Sequence, residues 1–317
     1  MLPRRGQPGR PRRVGRHRSL HRISVASDAP ALVLAVPGYG DAVADLAGRI
    51  AEEAMDSCPG VQIRIGYLDG PGETLAELLG SDAALPPAAA PAAAGFTGFP
   101  GQNSGPGHGR RESGSPSGRE PVPGASHPGQ PPEAVVVPLL AGPHPRYDAV
   151  IAAAISTAAS PVMLGTSLGP HPLLAGALHD RLHDVGLARA GRARGLNIAA
   201  GATGVIVVAD RGPQALADAG VTTLLLASRL AVPAAPGSLG DPASIDAAVT
   251  RLREAGATHL ALSPCVIGPE TDPAEFAALS AALNAPSAPP LGAHPAIAQL
   301  VAVRYGEALS RIAVASR

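Results

Sequence analysis

Glu133–Pro145 reads EAVVVPLLAGPHP, and Thr258–Thr271 reads THLALSPCVIGPET. Each is a run of β-branched and aliphatic residues that breaks at a proline and ends in Gly-Pro followed by a polar residue. That residue is His144 in the first stretch and Glu270 in the second. A short, near-continuous apolar run predicts a parallel strand buried on both faces. Open α/β sheets place their ligands at the C-terminal ends of such strands. The two stretches therefore predict two similar α/β units, with the chemistry gathered where the strands end.

Other landmarks repeat around this pair. Gly142-Pro143 and Gly268-Pro269 are offset by 126, and the loops Leu168–Pro172 (LGPHP) and Leu291–Pro295 (LGAHP) by 123. The leading strands Leu32–Val36 and Val205–Ala209 are offset by about 172. The longer spacing early in the chain matches the stretch 81–132, which is Ala, Pro, Gly and Ser with almost no large apolar side chain. Such a composition cannot offset the entropy of folding. It is expected to be a disordered insertion, in which His108 and His127 are incidental. The predicted layout is a disordered basic tail (1–30), a first unit (31–186, with the insertion 81–132) and a second unit (187–317).

Composition narrows the function. Apolar residues make up 45% of the 317, yet only seven are Phe or Tyr and none is Trp. The cores must be Ala, Val, Leu and Ile, which suits parallel strands under Ala-rich helices. The 25 basic residues balance 25 acidic ones, so the whole chain has no nucleic-acid signature. Eight Arg fall in the first 22 residues, but Asp28 and Pro30 interrupt the apolar stretch that a signal peptide would carry next. Cys58 and Cys265 are far apart without CxxC spacing, which predicts a reducing, cytoplasmic setting. No apolar run approaches the roughly 20 residues of a membrane span.

Periodicity and turn signals give the remaining elements. Ala31–Val36 is a strand closed by the turn Pro37-Gly38-Tyr39-Gly40, and Asp41 can cap the next helix. Val61–Leu68 is a strand, Glu73–Leu79 a short helix and Ala134–Leu140 a strand. Next come a helix near Tyr147–Ala158, a strand Val162–Leu164 and a helix to about Val185. The second unit reads as strand Val205–Ala209, helix Pro213–Ala219, strand Thr222–Ala227, helix Ser244–Ala255 and strand His259–Leu262. Helices Pro273–Leu283 and one running to about Leu309 complete it.

Strand ends then nominate the site: Pro37–Asp41, Tyr67–Asp69, His144 and Leu168–His171 in the first unit, and Asp210-Arg211, Ser228-Arg229, Glu270 and Leu291–His294 in the second. His144 lies between two prolines, and Glu270 opens a helix N-cap region. His171 and His294 share LG-x-HP, a pattern that fits helix capping as well as metal binding. His179 and His183 have the i, i+4 spacing of a metal pair, but alternate with acids as a solvated face does. Gly38-x-Gly40 lacks the third glycine of a dinucleotide fingerprint.

The apolar strand, Gly-rich turn, VVVPL-x-AG-x-H and LG-x-x-P together resemble the sirohydrochlorin chelatases, class II chelatases that insert Co²⁺ or Fe²⁺ into a tetrapyrrole. The likeness covers about 31–185 well and the second half more weakly, as a duplicated lobe. It implies duplicated chelatase-like α/β units, a divalent metal as substrate without an organic cofactor, and a role in cobalamin or sirohaem synthesis beside other pathway enzymes. It implies His144 for metal and proton chemistry, with Glu270, His171, His294 or Asp41 as candidates to assist it. Of these, Glu270 is read as the catalytic partner and His171 as a metal ligand, and Arg146, Arg211 and Tyr39 are read as contacts for the tetrapyrrole. The family's first strand normally ends in a turn bearing a second histidine; here Pro37 stands there. That departure leaves open a homologue that binds metal or tetrapyrrole without turnover.

Overall fold

The computed structural model describes residues 29–70, 73–80, 131–188 and 202–315. The expected basic tail, apart from its last two residues, and nearly all of the expected insertion, with His108 and His127, lie outside the described residues.

The first unit runs β1 (Ala31–Val36), α1 (Asp41–Ser57), β2 (Ile63–Tyr67), α2 (Leu75–Gly80), β3 (Ala134–Pro138), α3 (Pro145–Ser156), β4 (Val162–Leu164) and α4 (Pro172–Asp184). The second runs β5 (Gly204–Ala209), α5 (Pro213–Leu230), β6 (Ala234–Ser238), α6 (Pro242–Glu254), β7 (Leu260–Pro264), α7 (Pro273–Leu283) and α8 (Pro295–Ala315). Both sheets are parallel, ordered β2-β1-β3-β4 and β6-β5-β7. Where β4 completes the first sheet, a single parallel bridge from Leu262 to Ser287 stands in the second.

Strand register aligns the two units residue by residue. Ala35 faces Pro138 in one sheet, and Val208 faces Pro264 in the other. The last paired residues of the leading strands are Val36 and Ala209. The offset there is 173, so Pro37 corresponds to Asp210.

The central strands β1, β3, β5 and β7 are buried along their whole length, as near-continuous apolar runs require. One face of each sheet feeds a shared core that joins Leu32, Leu34, Val135, Val205 and Val207 to α1, α4, α5 and α8. The opposite faces close separately, under α2 and α3 in the first unit and α6 and α7 in the second. The last helix of each unit lies on the other unit: α4 packs on α5 and β7, α8 on α1 and β3. Two arginines tie this exchange. Arg181 of α4 donates to the Leu291 carbonyl before α8 (Nε, 3.1 Å; Nη2, 2.5 Å). Arg304 of α8 donates through Nη2 to the Leu168 carbonyl before α4 (2.8 Å).

Three expectations are corrected. Thr222–Ala227 is not a strand but the middle of α5, with the buried Thr222 and Thr223 hydroxyls donating to carbonyls one turn back. The strand is instead β6, AAPGS, whose Pro236 is tolerated because β6 is an edge strand. Asp41 does not cap α1; Gly40 (φ 97°) occupies the cap position without a side-chain bond. Val185 is exposed beyond the end of α4, while Leu174, Leu178 and Leu182 are buried.

Candidate active site

The loops after β3, β5 and β7 meet around a cavity of about 20 Å³, room for about one water. Gly142, His144, Asp210, Ala215, Cys265 and Glu270 are in its lining. Both units therefore contribute walls. The turns that carry these residues also touch: a Cβ at Gly38 would lie 3.0 Å from Pro269 Cβ, and one at Gly212 would lie 3.2 Å from Pro145 Cγ. These two contacts mirror each other across the units.

His144 is set by the helix that it starts. Pro145 occupies the first helical position, and the His144 Nδ1 accepts from the Tyr147 N–H (3.4 Å). The His144 N–H donates to Asp148 Oδ2 (3.0 Å), and its ring leans on Tyr147 with centroids 4.5 Å apart. An accepting Nδ1 leaves the ring proton on Nε2. Nε2 lies 3.1 Å from Asp210 Oδ2, across the boundary between the units.

Asp210 is 7% exposed and His144 9%. Asp210 Oδ1 accepts from Arg211 Nη1 (3.0 Å), while Arg211 Nη2 bonds Glu275 Oε2 (2.5 Å). Oδ2 is fully buried, and despite its closeness to Nε2 no donor is aligned for a hydrogen bond to it. It keeps unfilled lone pairs in a place water scarcely reaches.

Glu270 folds back on its own loop. Oε1 accepts from the Ile267 N–H (2.5 Å) and Oε2 from the Gly268 N–H (2.7 Å). Burial pushes its carboxyl up to about 7; the backbone N–H bonds oppose the rise and the Asp210 charge adds to it. The Cys265 thiol, also in the lining, is pushed up to about 12 by burial and so stays protonated. Cys58 and Cys265 are both free and buried.

A rim lies beside the cavity. Asp69 Oδ2 accepts from the Gly38 N–H (3.0 Å), and its Oδ1 takes the Arg146 guanidinium, which stands 5.2 Å over the Tyr147 ring. Tyr39 is 64% exposed and packs against Gly70, where any Cβ would collide with the Tyr39 side chain. Arg146 is exposed but not free; Asp69 holds it.

The two LG-x-HP histidines are helix caps. His171 Nδ1 accepts from the Leu173 N–H (3.1 Å) and His294 Nδ1 from the Ala296 N–H (3.2 Å). Burial and then the nearby Arg304 lower the His171 pKa; burial and Arg181 do the same at His294. Neither ring is in the lining of the His144 cavity. Ser228 and Arg229, expected at a strand end, sit inside α5. His179 and His183 stack 6.4 Å apart on α4, with His179 bonded to Asp180. Among the described residues, no three His, Cys, Asp or Glu side chains are grouped to hold a metal ion, and no helix is long and apolar enough to cross a membrane.

His144 and Glu270 thus line one cavity, whereas Tyr39 and Arg146 lie outside its lining. Asp210 was visible in sequence only as one strand end among several. The signal that singles it out is the repeat register, which sets it against Pro37.

No protein-family model matches the chain, and no curated protein sequence matches it. Solved structures do. The chain is similar to SirB from Bacillus subtilis with Fe³⁺, at 15% identity and a TM-score of 0.51, over 88% of this chain and 96% of that one. It is equally similar to the sirohydrochlorin chelatase SirB from Bacillus subtilis subspecies spizizenii in complex with cobalt, at 15% identity and TM-score 0.51, over 89% and 97%. The chain has a chelatase-like fold, two parallel α/β units side by side.

Proposed function

We propose that this chain is a chelatase that inserts a divalent metal, Co²⁺ or Fe²⁺, into a tetrapyrrole such as sirohydrochlorin, in cobalamin or sirohaem synthesis. Metal and macrocycle are both substrates, no organic cofactor takes part, and the cytoplasm is the setting. The observation that carries this reading is that His144 and Glu270, repeat equivalents, line one cavity between two units of a chelatase-like fold. Insertion exchanges two pyrrole protons for one dication. The site must therefore accept protons and must pass the cation on rather than keep it. An imidazole paired with one buried carboxylate, beside a second buried carboxyl, supplies acceptors and negative charge. Few fixed ligands suit a metal in transit. Arg146, by exchanging Asp69 for a substrate carboxylate, and the exposed Tyr39 are the proposed tetrapyrrole contacts at the rim.

The test is the tetrapyrrole absorption spectrum during incubation with sirohydrochlorin and Co²⁺ or Fe²⁺. Wild type should accelerate insertion, and His144→Ala should lose about 100-fold of that rate. Wild type no faster than the protein-free mixture would reject the chelatase reading.

One observation favours a second reading. Pro37 can neither ligate a metal nor accept a proton, and the cavity is far below the roughly 300 Å³ of a ligand pocket. A homologue that binds the tetrapyrrole without turnover would quench its fluorescence stoichiometrically and leave the insertion rate unchanged.

A further inference from the structure

We propose that Asp210 of the second unit, rather than His144, is the group that takes the pyrrole proton, and that His144 positions it. This rests on the chelatase reading and names the acceptor within it. Three observations converge. Both ring nitrogens of His144 are committed: Nδ1 accepts from the Tyr147 N–H, and the protonated Nε2 faces Asp210. The ring thus has no free lone pair directed into the cavity. Asp210 has one: Oδ2 is buried, in the lining, and without an aligned donor. Strand register makes Asp210 the counterpart of Pro37, so the acceptor that the first unit cannot supply at that strand end is supplied by the second.

The step balances without redox change. A pyrrole N–H bond breaks, its proton bonds to Asp210 Oδ2, and the freed nitrogen pair binds the dication. The proton of the second pyrrole goes to Glu270, which lines the same cavity. The macrocycle loses two protons and gains one dication, and the protein passes both protons to water. His144 Nε2–H, 3.1 Å from Oδ2 without being aligned for a hydrogen bond, keeps the Asp210 carboxylate in place by its partial positive charge, as a positioning residue. The second unit is then catalytic in its own right and does more than close the cleft.

The experiment measures kcat and KM for Co²⁺ insertion into sirohydrochlorin by the full chain and by Asp210→Asn, His144→Ala and His144→Gln. Asp210→Asn, nearly the same shape, should lower kcat about 100-fold with KM for sirohydrochlorin unchanged. His144→Gln, whose amide N–H can present a similar partial positive charge to Oδ2, should keep much of the rate that His144→Ala loses. Asp210→Asn as active as wild type, or His144→Gln as slow as His144→Ala, would overturn the assignment and leave the chelatase reading standing. An inactive wild type would overturn both. A measurement free of turnover and of variant folding is the ¹⁵N shift pair of His144 in the wild-type chain. Protonation at Nε2 is expected; protonation at Nδ1 would overturn the assignment.

Discussion

A carboxyl buried as deeply as Glu270 loses its water and must find other donors. It finds two backbone N–H groups of its own loop, and burial still leaves it at about 7 against an ordinary 4.5. A carboxyl raised in the folded state stabilises the fold most below its unfolded value, and that contribution is lost as pH rises through the folded value. Stability should therefore fall between about pH 5 and 8, and Glu270→Gln should flatten that slope while lowering stability overall. Denaturant midpoints across the window check this; parallel slopes for the two proteins would contradict it. His144 and Glu270 were legible at this scale because an apolar run ending in Gly-Pro marks a strand end, and the polar residue after it stands out. Asp210 was not, because Asp-Arg after a strand is ordinary. Only a register exact to one residue sets it opposite Pro37, and landmarks alone gave that offset as about 172.

Elements with one clear period were readable, and those whose composition conflicts with their place were not. Val162–Leu164 and Pro273–Leu283 coincide with β4 and α7. The middle of α5, VTTLLLA, carries strand-like residues, but helix packing on α4 overrides that preference and the threonine hydroxyls bond within the helix. β6 carries a proline and no β-branched residue, and pairs on one edge only. Close approach of helix to strand depends on paired glycines. A Cβ at Gly66 of β2 would lie 2.9 Å from Leu75 Cα of α2, whereas one at its counterpart Gly237 would meet only the end of the Ile245 side chain so closely, at 2.4 Å. Backbone cannot swing aside as a side-chain tip can. Gly66→Ala should cost about 1–3 kcal/mol in thermal or denaturant unfolding, and Gly237→Ala less. Equal losses would show that the helix adjusts as a unit.

For the whole molecule, duplication is what the sequence displayed most openly. Repeated loops and strands foretold two parallel units, while the exchange of α4 and α8 between them had no sequence signal. That exchange, tied by Arg181 and Arg304, holds the strand ends of both units against one cavity. A cavity near 20 Å³ cannot take a tetrapyrrole, so on the proposed reading the loops at the boundary between the units must give way locally to admit the macrocycle, with His144 still beside Asp210. Gly142 and Ala215 face each other across that boundary, and a Cβ at Gly142 would lie 3.9 Å from the Ala215 Cβ, within the span of a disulfide. The decisive measurement is the rate of Co²⁺ insertion into sirohydrochlorin by Gly142→Cys/Ala215→Cys, in a Cys265→Ala background because Cys265 shares the cavity. The oxidised protein should be inactive, and the same sample after reduction should insert metal at the rate of its Cys265→Ala parent. Equal rates in the oxidised and reduced states, with the cross-link verified, would contradict substrate entry between the two units.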